Sequence, residues 1–158
     1  MTNDEKEVID GLENIINRVP IRRWNLDING PYEITKGPNQ GRLSSPEYIF
    51  TSMYRTYKVK LEGVQVSPYH FDRTMFVGIK LSIHQKGRHL LDEENLEDYP
   101  YRNLDKVREL FKKLYLKYSD YHDKIEEARN KKEAAALKRK ELKRRQNLNS
   151  FLKSFDKI

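Results

Sequence analysis

The first nineteen residues carry apolar side chains at a helical period. Six of them recur every three or four positions: Val8, Ile9, Leu12, Ile15, Ile16 and Val19. This spacing places them on one face of a helix, and Pro20 cannot continue it. Thr2 and Glu5 have the spacing of a capping box. The pattern therefore predicts an amphipathic helix over 2–18.

The next residues alternate between apolar and polar side chains, as half-buried strands do. Residues 22–36 predict a β-hairpin that turns at Asn29-Gly30, a dipeptide typical of tight turns. Residues 37–46 contain glycine, proline and serine and predict a loop. Residues 46–54 fit either a helix or a strand. Pro46 suits the first turn of a helix, whereas the run from Tyr48 to Thr51 favours a strand.

Two further segments predict strands. Residues 54–66 place Val59 and Leu61 on one face, and Gly63 there marks a bulge or a turn. Residues 74–84 predict the clearest strand, with a buried face of five residues: Met75, Val77, Ile79, Leu81 and Ile83. A turn is expected at 86–88, and residues 92–102 are acidic and predict irregular structure.

From residue 103 onward, apolar positions follow a heptad-like spacing. One row reads Val107, Leu114, Tyr121, Ala128, Ala135, Leu142, and the other reads Leu104, Phe111, Tyr118, Ile125, Lys132, Arg139, Gln146. The second row becomes polar after Ile125, so apolar packing is expected to end near residue 128. A helix is predicted from 103 to 146, and Ser119-Asp120 is a possible break because both residues favour caps.

These elements predict an α+β fold: a small antiparallel sheet with an N-terminal amphipathic helix and a long basic C-terminal helix. We expect a compact domain over 1–128, a basic arm over 129–146 and an apolar tail over 147–158. The heptad rows of 104–125 fit packing within one chain and also the seam of a dimer, so monomer and dimer both remain open.

Positive charge is concentrated in the arm. Residues 129–146 contain two glutamates and nine basic residues, which we take as the candidate nucleic-acid-binding set: Arg129, Lys131, Lys132, Lys138, Arg139, Lys140, Lys143, Arg144 and Arg145. The arm thus has a net charge of +7, which equals that of the whole chain. Such asymmetry favours an anionic partner, with nucleic acid ahead of an acidic protein surface or no partner. A membrane is not expected, since the arm lacks a large apolar face.

The tail carries four large apolar residues at helical spacing: Leu148, Phe151, Leu152 and Phe155. Side chains of this size are costly to leave in water. The tail is therefore expected to fold back on the domain or to dock into the groove of a protein partner.

Candidate catalytic chemistry is sparse. The chain contains no cysteine, which removes disulfide and thiolate chemistry and fits a reducing compartment. No glycine-rich phosphate loop is present, and the histidines lack metal-ligand spacing on a helix, although His84 and His89 flank a turn. The longest uncharged stretch, 63–71, is too short to cross a bilayer. We expect no cofactor and no metal, in a soluble intracellular protein (cytoplasmic or nucleoid, or nuclear if eukaryotic).

The leading hypothesis is a non-enzymatic accessory protein that tethers to or blocks DNA, RNA or a nucleoprotein machine through its basic helix. The alternative is an inhibitor or adaptor of the viral or phage type that acts by protein contact. A third hypothesis, a metal-dependent nuclease, would use Glu62, Asp72 and Lys80 to hold magnesium and orient water.

Overall fold

The computed structural model describes residues 3–66, 74–98 and 104–156. The elements are α1 (Asn3–Arg18), β1 (Trp24–Asn29), β2 (Glu47–Tyr54), β3 (Tyr57–Gln65), β4 (Phe76–Gln85), β5 (Arg88–Asn95) and α2 (Leu104–Asp156), with short 3-10 turns at Ile21–Arg23 and Leu96–Asp98. Five strands form one antiparallel sheet in the order β1-β2-β3-β4-β5. The predicted α+β fold is confirmed. None of the helices in these ranges is both long and apolar enough to cross a bilayer.

Contacts divide the chain into two compact units, residues 1–119 and 120–158. In the first unit, one face of the sheet packs against α1 and the start of α2. Ile9, Leu12 and Ile16 are buried there, which confirms the amphipathic helix. The capping pair Thr2 and Glu5 lies outside the described side chains.

The predicted hairpin over 22–36 is wrong. Strand β1 ends at Asn29 and pairs with β2, with Trp24 opposite Ser52 and Asn29 opposite Glu47. Pro31 has no N–H to donate to a ladder, so the chain beyond it forms a loop of its own. In that loop Ser44 donates its N–H to the carbonyl oxygen of Tyr32 at 2.7 Å. Residues 47–54, which fit a helix or a strand by sequence, form a strand.

Strand β4 exists as predicted, but its buried face is right only from Ile79 onward. Phe76 is 2 % exposed and Met75 is 45 % exposed, the reverse of the expected pattern. Glu62 lies opposite Lys80 whereas Val64 lies opposite Val77, so β4 contains one extra residue at this point. Gly78, with φ of 65°, accommodates the bulge. Because one inserted residue inverts the alternation, the side chains before it change faces.

The bulge is held from outside the sheet. Glu97 accepts a hydrogen bond from the Gly78 N–H at 2.8 Å and another from Arg108 Nε at 2.8 Å. The first bond satisfies a backbone donor that the bulge removes from the ladder, and the second joins the site to α2. One carboxylate thereby fixes the distorted strand against the helix.

Aromatic rings fill the centre of the core. The ring centroid of Phe111 on α2 lies 5.4 Å from that of Phe50 and 4.7 Å from that of Phe76. A Cβ at Gly63 would stand 2.8 Å from Phe111 Cζ and 3.0 Å from Ile79 Cδ1. Gly63 lies at the register shift between Glu62 and Val64, so the expected bulge is confirmed, and the missing side chain leaves the space that admits Phe111.

Residues 92–95, predicted as irregular, belong to strand β5. The turn before it is confirmed: Lys86 (φ of 46°) and Gly87 (φ of 82°) return the chain from β4. The pattern of β5 is obscured because two register shifts interrupt its pairing with β4. Its acidic residues lie at the edge of the sheet, where their charges reach water.

Helix α2 is continuous from Leu104 to Asp156, so the possible break at Ser119-Asp120 does not occur. Val107, Leu110, Phe111 and Leu114 are buried, and Tyr121 is half-buried. From His122 to Phe155 every side chain is exposed. The α2 residues that pack against the core extend to Tyr118, short of the expected residue 128, and Ile125 and Ala128 are exposed. The expected division of the chain at residue 128 stays a prediction.

Candidate functional site

The nine basic side chains of the arm are all exposed on one uninterrupted stretch of α2. Successive residues differ by about 100° around a helix, so Lys138, Arg139 and Lys140 point in three different directions. Arg139 and Lys143 are one turn apart and repel each other, as do Lys140 and Arg144. The arm thus presents positive charge around its circumference, and its binding role stays a prediction.

The tail continues the helix of the arm rather than forming a separate short helix. Its apolar residues Leu148, Phe151, Leu152 and Phe155 lie within an arc of about 100°. Phe151 and Phe155 are 64 % and 65 % exposed, and their stacked rings have centroids 6.5 Å apart. Asparagine, serine and lysine occupy the opposite face, so this last segment is amphipathic. Docking by the tail stays a prediction.

A second basic surface, which the sequence did not reveal, lies in the first unit. A concave surface there encloses a volume of about 740 Å³. It is lined by four basic residues, Arg22, Arg23, Arg55 and Lys58, and its lining includes no acidic residue. The β1–β2–β3 pairing brings these residues together from separate parts of the chain. Ser52 donates a hydrogen bond to the carbonyl oxygen of Arg23 at 3.0 Å and so fixes one wall. We call this surface the basic concavity.

The side chain of Arg55 is also supported by its neighbour. Its Cζ atom lies 5.5 Å from the ring centroid of Tyr54, a cation–π distance. The backbone of Arg55 has φ of 57° in the β2–β3 turn. The contact with Tyr54 therefore positions a guanidinium that lines the basic concavity.

The residues suggested for a nuclease are only partly brought together. Glu62 and Lys80 are register partners on β3 and β4, while Asp72 lies outside the described residues. Lys60 Nζ lies 2.8 Å from Glu62 Oε1, and this hydrogen bond raises the pKa of Lys60 above its ordinary value of 10.5. In the described part of the chain, the three side chains that lie close enough together to hold a metal ion are His84, His89 and Asp92, and Glu62 is not among them. Glu62 instead forms an ion pair on the open face of the sheet.

The two histidines that flank the β4–β5 turn are in contact. The rings of His84 and His89 have centroids 4.3 Å apart in an edge-to-face arrangement. Asp92 Oδ1 lies 3.6 Å from His89 Nδ1. The sequence indicated that the histidines flank a turn, but it gave no sign that Asp92 would join them.

Comparison of the chain with protein-family models, with curated proteins and with solved structures finds no match in any of the three.

Proposed function

We propose that this protein is a non-enzymatic accessory protein that binds nucleic acid through the basic arm, residues 129–146. One observation carries the proposal: nine basic side chains are exposed on one helical segment, whereas residues 1–128 hold twenty basic and twenty-one acidic residues. Binding would come from neutralising phosphates and releasing their counterions, which gives affinity without sequence specificity. The protein would tether or block, without chemistry of its own.

The distribution of charge favours nucleic acid over an acidic protein surface. A flat protein surface would contact one side of the arm and leave the remaining charges in water. The major groove of a duplex is about 12 Å wide and admits a helix between two phosphate backbones. Lys138, Arg139 and Lys140, which point in different directions, would then each have a phosphate within reach.

The amphipathic tail supports a second contact in the same function. An apolar face of residues at i, i+3, i+4 and i+7 is the kind that docks into a hydrophobic groove. Leu148 and Phe155 mark the ends of this face, within two turns of helix. The arm would hold the nucleic acid while the tail holds a protein that acts on it.

The test compares two variants with equal loss of charge. In the arm variant, Lys138, Arg139, Lys140 and Lys143 become glutamine, which preserves helix propensity. In the concavity variant, Arg22, Arg23, Arg55 and Lys58 become glutamine. Binding to a duplex DNA and a duplex RNA is measured by fluorescence anisotropy at several salt concentrations.

We expect the arm variant to lower the slope of log affinity against log salt by about 3 to 4, near 0.9 for each phosphate that the arm no longer neutralises. The concavity variant should change this slope little. If the arm variant retains the wild-type affinity and slope, the proposal is wrong. If only the concavity variant loses affinity, the interface lies on the first unit instead.

The alternative, an inhibitor or adaptor that acts by protein contact, is favoured by the exposed Phe151 and Phe155. A pull-down from the native host separates the two proposals. A single protein partner that survives nuclease treatment and high salt, and no longer binds when both phenylalanines become serine, supports the alternative. A partner released by nuclease supports binding through nucleic acid.

A further inference from the structure

The hairpin of β4 and β5 brings three metal-ligating side chains together near its turn. His84, His89 and Asp92 each offer one ligand atom, and these three atoms all lie within 4.8 Å of one another. We propose that they form a binding site for a divalent transition-metal ion of the zinc type. The site is independent of the arm and of the nucleic-acid proposal.

The tight turn explains why the two histidines meet. Lys86 and Gly87 both have positive φ, the backbone of a two-residue hairpin turn. Gln85 and Arg88 form the pair next to the turn, and His84 and His89 form the pair after it. In such a hairpin the second pair is not hydrogen-bonded, and its side chains approach more closely than those of the first. The backbone thus holds the imidazoles side by side.

An extra residue in β5 brings the carboxylate of Asp92 to the same side as the two histidines. His84 lies opposite His89 while Ile83 lies opposite Leu91, so Leu90 is inserted. In a regular strand Asp92 and His89 would face opposite sides of the sheet, because they are three positions apart. The inserted residue reverses that parity and turns Asp92 to the side of His89. The bulge therefore completes the group of three.

The distances suit a small ion after minor side-chain rotation. Zinc bonds of about 2.0–2.2 Å place neighbouring ligand atoms about 3.4 Å apart in a tetrahedron. The separation of 3.6 Å between His89 Nδ1 and Asp92 Oδ1 is already close to this value. The side chains of His89 and Asp92 are 58 % and 68 % exposed, so they rotate without disturbing the core. Water would supply the fourth ligand.

The ligand types select the class of ion. Two imidazole nitrogens and one carboxylate oxygen favour zinc, nickel, cobalt or copper over magnesium and calcium, which prefer oxygen. Lys58 is the register partner of His84 on β3 and shares its face of the sheet. Its positive charge opposes a bound cation and lowers the affinity of the site.

The proposal is tested by titrating Zn²⁺ alone into the full chain by calorimetry, after chelator treatment and at pH of about 7.5, because a ligand nitrogen must be unprotonated. We expect one ion to bind at this site. His89→Gln and Asp92→Asn should each weaken binding by at least about tenfold, or about 1.4 kcal/mol. His122→Gln, at an exposed histidine of α2, is the matched control and should leave binding unchanged. Lys58→Gln should strengthen binding.

A second measurement uses the wild-type chain and does not depend on variant folding. Zinc should shift the imidazole nitrogen resonances of His84 and His89 and leave those of His122 in place. Shifts confined to His122 or His70, or no shift at all, would overturn the proposal. Equal zinc affinity in wild type and His89→Gln would overturn it as well.

Discussion

The two parts of α2 have the same backbone structure but opposite surroundings. In Leu104–Ser119, Val107, Phe111 and Leu114 are buried against the sheet and α1. In the part from Asp120 to Asp156, every side chain from His122 to Phe155 is exposed. One helix is therefore stabilised in two ways: tertiary packing stabilises the first part, and intrinsic helix propensity stabilises the second.

The second part has the composition that intrinsic helicity requires. It contains no glycine or proline from 120 to 156 and carries three consecutive alanines, Ala134 to Ala136. Glu127 precedes Lys131 by four residues and Glu141 precedes Arg145 by four, the spacing and order at which exposed acidic and basic residues favour a helix. Each such pair contributes about 0.2–0.5 kcal/mol. Local terms of this size sustain the helix without a core.

A leucine-to-alanine substitution should affect the two parts of α2 very differently. Leu114→Ala should lower the free energy of unfolding by about 2–5 kcal/mol, because it leaves a cavity in the core. Leu142→Ala, at an exposed position, should change it by less than about 0.5 kcal/mol. Urea unfolding followed by the fluorescence of Trp24, the only tryptophan, measures both. Similar destabilisation in the two variants would refute the comparison.

A helix-breaking substitution tests whether the first part depends on the second. Ala135→Pro should cost the helix about 3 kcal/mol locally, since proline removes a hydrogen bond and clashes with the preceding turn. Circular dichroism at 222 nm should fall, while the unfolding midpoint reported by Trp24 stays in place. Ala135→Ser is the control and should preserve the signal. A shifted midpoint would show that the arm stabilises the core.

A smaller effect is expected where β3 meets α2. Gly63→Ala should destabilise the protein by about 1–3 kcal/mol, because the added methyl group would overlap the ring of Phe111. Gly11→Ala on α1, where a Cβ meets nothing within 4 Å, should instead stabilise by up to about 1 kcal/mol. Urea unfolding followed by Trp24 fluorescence distinguishes the decrease in the free energy of unfolding from the increase. A neutral Gly63→Ala would mean that the ring of Phe111 shifts easily and is not tightly packed against β3.

The smallest effect concerns an ion pair on the open face of the sheet. Glu62 raises the pKa of Lys60 above 10.5, so this pair contributes stability at pH below the unfolded pKa of lysine. That contribution is lost as pH rises through the higher folded pKa. An NMR titration of the Lys60 side chain should show the raised pKa, and Glu62→Gln should lower it. An unchanged titration in Glu62→Gln would remove Glu62 as the cause.

Periodicity predicted the elements that obey it and missed those that deviate from it. The stripe of α1 and the alternation of β3 were sufficient because each has one uninterrupted buried face. The side chains of β4 before Ile79 were predicted to lie on the wrong faces of the sheet, because the bulge at Gly78 inverts the alternation. The partner of β1 was missed because Asn29-Gly30 resembles a hairpin turn, whereas Pro31 excludes the ladder.

The candidate sites also differ in whether the sequence alone predicts them. The basic set of 129–146 is visible in sequence because charge does not depend on folding. The basic concavity depends on strand pairing that joins Arg22 to Arg55, and no local pattern encodes it. The approach of Asp92 to His89 depends on one inserted residue at Leu90, which leaves no periodic signal.

The irregular pairing of β5 also bears on how the protein behaves at high concentration. A strand at the edge of a sheet offers unpaired backbone groups to any other strand that approaches. Strand β5 is such an edge, but it carries two register shifts, and Glu93 has φ of 46°. A strand interrupted in this way cannot present a long, regular row of donors and acceptors to another copy. The same bulges that bring Asp92 beside His89 therefore protect this edge of the sheet against aggregation.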